Sequence, residues 1–122
     1  MFLLALLFAV EAAVPSVRFA HSYGNHMVLQ RAPAQANLWG VLGGFSEEPE
    51  VVVSFKKPGG ETSTILATVK GSTWKAVLRA QPAGATATIE VQAKAASQEV
   101  ATTSISDVLF GDVWVCSGQS NM

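Results

Sequence analysis

The residues of this sequence best suited to chemistry are Ser117-Gly118-Gln119-Ser120-Asn121. They directly follow an apolar run, Val113-Trp114-Val115-Cys116. Ligands of open α/β sheets bind outside the carboxyl ends of the strands, so a serine there would meet substrate. Gly118 would let the backbone turn sharply beneath it. Backbone N–H groups beyond the serine, at the start of a helix, would stabilise an oxyanion. Spacing alone also allows a plainer reading, in which Ser117 and Ser120 cap a helix.

A nucleophilic serine needs a base. The histidines are His21 and His26, and the nearest carboxylates are Asp107 and Asp112. The five-residue separation of the histidines matches neither a helical pair nor a zinc motif. Both read as loop residues, and Asp112, after Gly111, reads as a turn residue. None of the four is assigned as the base. Cys116 is the single cysteine, so no disulfide or thiolate metal site can form within the chain. No cation flanks it to lower its pKa, and a buried strand thiol is the better reading. Trp39, Trp74 and Trp114 could stack on sugars, although core packing is the more frequent role of tryptophan.

The elements that must position these residues read as short strands. Ala85, Ala87, Ile89, Val91 and Ala93 alternate with Thr86, Thr88, Glu90, Gln92 and Lys94. A period of two puts the apolar set on one face and the polar set on the other. Val51, Val53 and Phe55 form a similar face, as do Ile65, Ala67 and Val69, and Trp74, Ala76 and Leu78. Leu38, Trp39 and Val41 around Gly40 mark another strand. Gly24-Asn25, Pro58-Gly59-Gly60, Gly71-Ser72 and Pro82-Ala83-Gly84 supply turn chemistry between runs. Gly43 to Pro49 reads as an acidic loop, and Ala93–Val100 is the weakest strand, with a helical turn as its alternative. Strands of this length and spacing predict an antiparallel β-sandwich of jelly-roll or immunoglobulin-like type over 14–106. Near Asp107 the pattern changes. Val108-Leu109-Phe110 and Val113–Cys116 are apolar on both faces, as in parallel sheets covered by helices. This predicts a boundary, with 107–122 opening an α/β domain.

Composition bounds the function classes. The chain has 122 residues, 49% hydrophobic and 14% charged, which is a globular balance. Eight basic and nine acidic residues are mixed along it, with no basic stripe, so nucleic acid is not an expected partner. No apolar run reaches the length of a membrane-spanning helix. Met1–Val10 is apolar and is followed by small residues, so 1–13 is expected to be a secretory signal peptide.

Two stretches resemble the sialate O-acetylesterase family. SDVLFGDVWVCSGQSNM, Ser106 to Met122, looks like that family's entry into its catalytic domain. SYGNHMVLQRAPAQANLWG, Ser22 to Gly40, looks like its opening strands, with Asn25 where an Asp is expected. The resemblance covers about Val17 to Met122 and is loose between the two stretches. It implies a serine esterase of the SGNH hydrolase type that removes O-acetyl groups, chiefly at the 9-position, from sialic acids or sialoglycans. It implies Ser120 as nucleophile and, through its backbone N–H, as oxyanion donor. The base, a His preceded by an Asp, and the other oxyanion donors would come from later blocks that these residues do not include. The chain is therefore expected to be an N-terminal fragment, inactive alone. No cofactor is implied, and the secretory pathway, lysosomal or extracellular, is the expected location. The alternatives are an esterase for another acetylated sugar such as acetylxylan, and a non-catalytic secreted sandwich that binds sugar or protein.

Overall fold

The computed structural model describes residues 14–114. The proposed signal 1–13, and Cys116, Ser117 and Ser120, lie outside the described residues. Nine strands follow in order: β1 (Ser16–Phe19), β2 (Val28–Gln30), β3 (Asn37–Gly43), β4 (Glu50–Lys56), β5 (Thr62–Leu66), β6 (Thr68–Lys70), β7 (Thr73–Val77), β8 (Thr86–Lys94) and β9 (Val100–Gly111). No helix occurs among the described residues. One sheet has the order β1-β3-β7-β6 and the other β2-β9-β8-β4-β5. The expected two-sheet sandwich is present.

The inner faces are the alternating sets read from the sequence. Val51, Val53 and Phe55 of β4, Ile89, Val91 and Ala93 of β8, and Trp74 and Ala76 of β7 are all buried. Burial of each large aliphatic or aromatic side chain is worth about 1.5–3 kcal/mol. Phe55 and Phe110 meet across neighbouring core positions, with ring centroids 5.7 Å apart. Trp74 packs edge-on to Phe19 at 5.5 Å and donates its indole N–H to the Arg18 carbonyl at 3.1 Å. Gly40 makes room for that indole: a Cβ there would lie 2.7 Å from Trp74 Nε1 and would strike the Arg18 carbonyl.

The run Ile65, Ala67, Val69 is not one strand. β5 pairs with β4 in one sheet and β6 pairs with β7 in the other. The chain crosses between sheets at Ala67, which is buried and donates its backbone N–H to Val51 at 2.8 Å. Such corners are how a single run serves both layers of a sandwich. Ala93–Val100 is a hairpin, not a helical turn. Ala95 N–H bonds the Glu99 carbonyl at 2.9 Å, and Gln98 adopts a left-handed φ of 75°.

Two expectations about the end of the sandwich are corrected. The boundary placed at Asp107 falls inside β9, which runs without interruption from Val100 to Gly111. The change of pattern there is a β-bulge. Ala87 faces Val108 while Ile89 faces Ile105, so Thr88 opposes both Ser106 and Asp107. The extra residue shifts the inward positions from odd numbers, ending at Ile105, to even numbers, Val108 and Phe110. The sandwich is also not wholly antiparallel. β2 runs parallel to β9, with Val28, Leu29 and Gln30 beside Leu109, Phe110 and Gly111.

Candidate functional site

The bulge determines which candidate residues meet. It takes the backbone groups of Ser106 out of the ladder, free to pair elsewhere. The loop before β2 provides the partners. His26 N–H donates to the Ser106 carbonyl at 3.0 Å, and Ser106 N–H donates to Asn25 Oδ1 at 2.9 Å. An aspartate at position 25 would offer the same acceptor. His26 and Asp107 both take left-handed φ, 66° and 54°, which His and Asp tolerate better than most residues. Their side chains then meet, with His26 Nδ1 2.7 Å from Asp107 Oδ2.

A second set of contacts holds the exit of β9. Arg31 N–H donates to the Gly111 carbonyl at 2.9 Å, and Arg31 Nε donates to Asp112 Oδ1 at 2.9 Å. Val113 N–H donates to Gln30 Oε1 at 3.1 Å. Residues 22–40 and 106–113, separate in sequence, are thus joined in space along β2 and β9. Beyond that clamp Trp114 is 83% exposed.

The chemistry available is limited. His26–Asp107 has the form of an imidazole oriented by a carboxylate, but both side chains are largely exposed. Among the described residues no hydroxyl bonds the other nitrogen of His26. Asp112 is engaged by Arg31, and His21 lies exposed in the turn after β1. Among the described residues no three His, Cys, Asp or Glu side chains gather as a metal site. Two groups have displaced pKa values. Burial raises Tyr23, against the opposing effect of the Trp39 backbone, and its hydroxyl donates to the Asn37 carbonyl at 2.8 Å. Glu99 is lowered, because Ser46 Oγ, Ser46 N–H and Ser97 Oγ all donate to its Oε1, at 2.6, 3.1 and 2.9 Å. Those bonds, with Ser97 N–H on Glu47, latch the acidic loop to the β8–β9 hairpin.

The tryptophans divide. Trp74 is fully buried, whereas Trp39 is 45% exposed on the outer face of its sheet. The alternation of Leu38, Gly40 and Leu42 with Trp39 and Val41 carried that signal, since the two sets must face opposite ways.

No family model matches the chain. Sialate O-acetylesterases of Homo sapiens and Pongo abelii are each 38% identical to it over 121 residues, covering 96% of the chain. That of Rattus norvegicus is 40% identical over 129 residues and covers all of it. The chain is a relative of the sialate O-acetylesterases. It spans 22% of the length of these relatives. Against the sialate O-acetylesterases, then, the match takes in both the sandwich and, in the rat protein's case, the position of Ser120. Among solved structures, a chimeric titin Z1Z2 protein aligns with a TM-score of 0.47 and 23% identity, over 81% of this chain and 96% of that one.

Proposed function

We propose that this chain is the accessory β-sandwich and nucleophile segment of a serine esterase that deacetylates sialic acids. Identity near 40% to sialate O-acetylesterases along the whole chain is the observation that carries this reading. Ser120 is the nucleophile. Its hydroxyl attacks the acetyl carbonyl of an O-acetylated sialic acid, and its backbone N–H helps to hold the oxyanion. The alcohol leaves with a proton from the base, and water then releases acetate from the acetyl-enzyme. The base and remaining oxyanion donors belong to other parts of the whole protein. An SGNH hydrolase domain begins after β9, beyond Gly111. The protein enters the secretory pathway with 1–13 as its signal.

In this reading the sandwich positions the serine segment. The β2–β9 pairing and the bonds from Gln30 and Arg31 fix where the chain leaves the sheet. The test is acetate release from 9-O-acetyl-N-acetylneuraminic acid by the whole protein and its Ser120→Ala variant. Removal of the nucleophile should lower kcat by about 10⁴-fold or more. Equal rates would refute the assignment. Acetylxylan in the same assay separates the substrate classes.

A further inference from the structure

The outer face of the four-stranded sheet is not used by anything described above. Its strands, β1, β3, β7 and β6, contain no aspartate or glutamate. They carry Arg18, Lys70 and Lys75, none of which forms an ion pair among the described residues. On this face Trp39 lies directly opposite Lys75, and Arg18 lies opposite Val41, diagonal to Trp39. Diagonal neighbours on a sheet are about 7–8 Å apart, within reach of long side chains. A depression of about 330 Å³ is lined by Arg18, His21, Ser22, Trp39 and Val41. That volume is at the small end of ligand sites, the size of a single sugar ring with substituents.

The chemistry of this depression is specific. An exposed indole offers a flat apolar platform with a polar edge. Arg18 offers a planar, permanently charged fork that fits a carboxylate. Ser22 and His21 add hydrogen-bonding groups for hydroxyls. The absence of carboxylates from these strands, beside Arg18, Lys70 and Lys75, leaves the face favourable to an anion.

We propose that the depression around Trp39 binds a carboxylate-bearing sugar, with Trp39 as the stacking surface and Arg18 as the partner of the carboxylate. The choice of a sialic acid as that sugar rests on the esterase reading above; the site itself is separate from Ser120. It would hold a sialylated chain beside the enzyme, whether or not that residue is acetylated.

The test is a ¹H–¹⁵N titration of the whole protein, ¹⁵N-labelled at arginine, histidine and tryptophan, with the methyl α-glycoside of N-acetylneuraminic acid. Saturable shifts are expected at Arg18, His21 and the Trp39 indole, with a Kd on the order of 1 mM. Trp39→Ala and Arg18→Gln should each weaken binding about tenfold or more, and both positions are exposed enough for the fold to survive. The methyl ester of the same sugar, which lacks the charge, should bind about tenfold more weakly. No saturable shift, unchanged binding by Trp39→Ala, or equal shifts with inorganic phosphate would each overturn the proposal. The assay does not involve ester hydrolysis, so a protein without esterase activity could still bind, and a failed titration leaves the esterase reading intact.

Discussion

Asn25 Oδ1 accepts the Ser106 backbone N–H at 2.9 Å, across 81 residues of sequence, and so completes the hydrogen bonding of the β9 bulge. Removing that acceptor leaves the bulge short of one partner. Asn25→Ala is expected to cost about 1 kcal/mol, or about 5 °C in Tm. Asn25→Asp keeps an oxygen in place and should change Tm little. Thermal unfolding by circular dichroism would separate the two. Equal losses would mean that the loop tolerates no change for another reason.

Gly40 should be among the least replaceable residues of the sandwich. The Trp74 indole and the Arg18 carbonyl occupy the space a side chain would need. Overpacking of a core costs about 1–3 kcal/mol, and backbone on one side leaves little room to relax. Gly40→Ala is expected to lie at the upper end, about 3 kcal/mol, in chemical denaturation. A loss below about 0.5 kcal/mol would show that β1 and β3 separate easily.

Arg31 presents the opposite case. Its ion pair with Asp112 is well aligned but exposed on both sides. Exposed pairs contribute about 0–1 kcal/mol. Arg31→Ala should therefore lower stability by less than about 1 kcal/mol. If Tm falls by 10 °C or so, the clamp at the end of β9 carries more of the fold than its exposure implies.

The Glu99 latch has a definite pH dependence. Its folded pKa lies below the ordinary glutamate value of 4.5, through the hydrogen bonds from Ser46 and Ser97. The stabilisation is present above that value and is lost as pH falls through the lower folded pKa. Amide exchange at Ser46 should be protected at neutral pH and lose protection as pH falls through the lowered Glu99 pKa. Glu99→Gln should abolish the pH dependence of protection at the Ser46 amide, which donates to Glu99 Oε1. Persistence of that dependence in the variant would assign it to another carboxylate.

Much of the sandwich was legible, because burial of one sheet face leaves a period of two in the sequence. β8 shows this over nine residues, and Trp74, Ala76 and Leu78 show it in and just beyond β7. The same rule misled at Asp107. A bulge shifts the period by one residue, and a shifted period looks like a new element. The crossing at Ala67 left no local mark either, since both sheets bury the same face of the run. Pairing across long separations was invisible. Nothing near His26 indicates Asp107, and the parallel β2–β9 contact follows only from the folded order of strands. From type and position Ser120 could be marked only as a candidate, with a helix cap as its alternative. Its partners could not be marked, since a base is identified by proximity in space.

The account stands most directly on Ser120 as the nucleophile of the whole protein. The measurement is labelling of the whole protein with a fluorophosphonate, followed by peptide mass mapping. The account predicts one adduct, on Ser120, in an amount that follows the loss of acetate release from 9-O-acetyl-N-acetylneuraminic acid. Inactivation with the adduct on another residue, or full labelling in the Ser120→Ala protein, would contradict it.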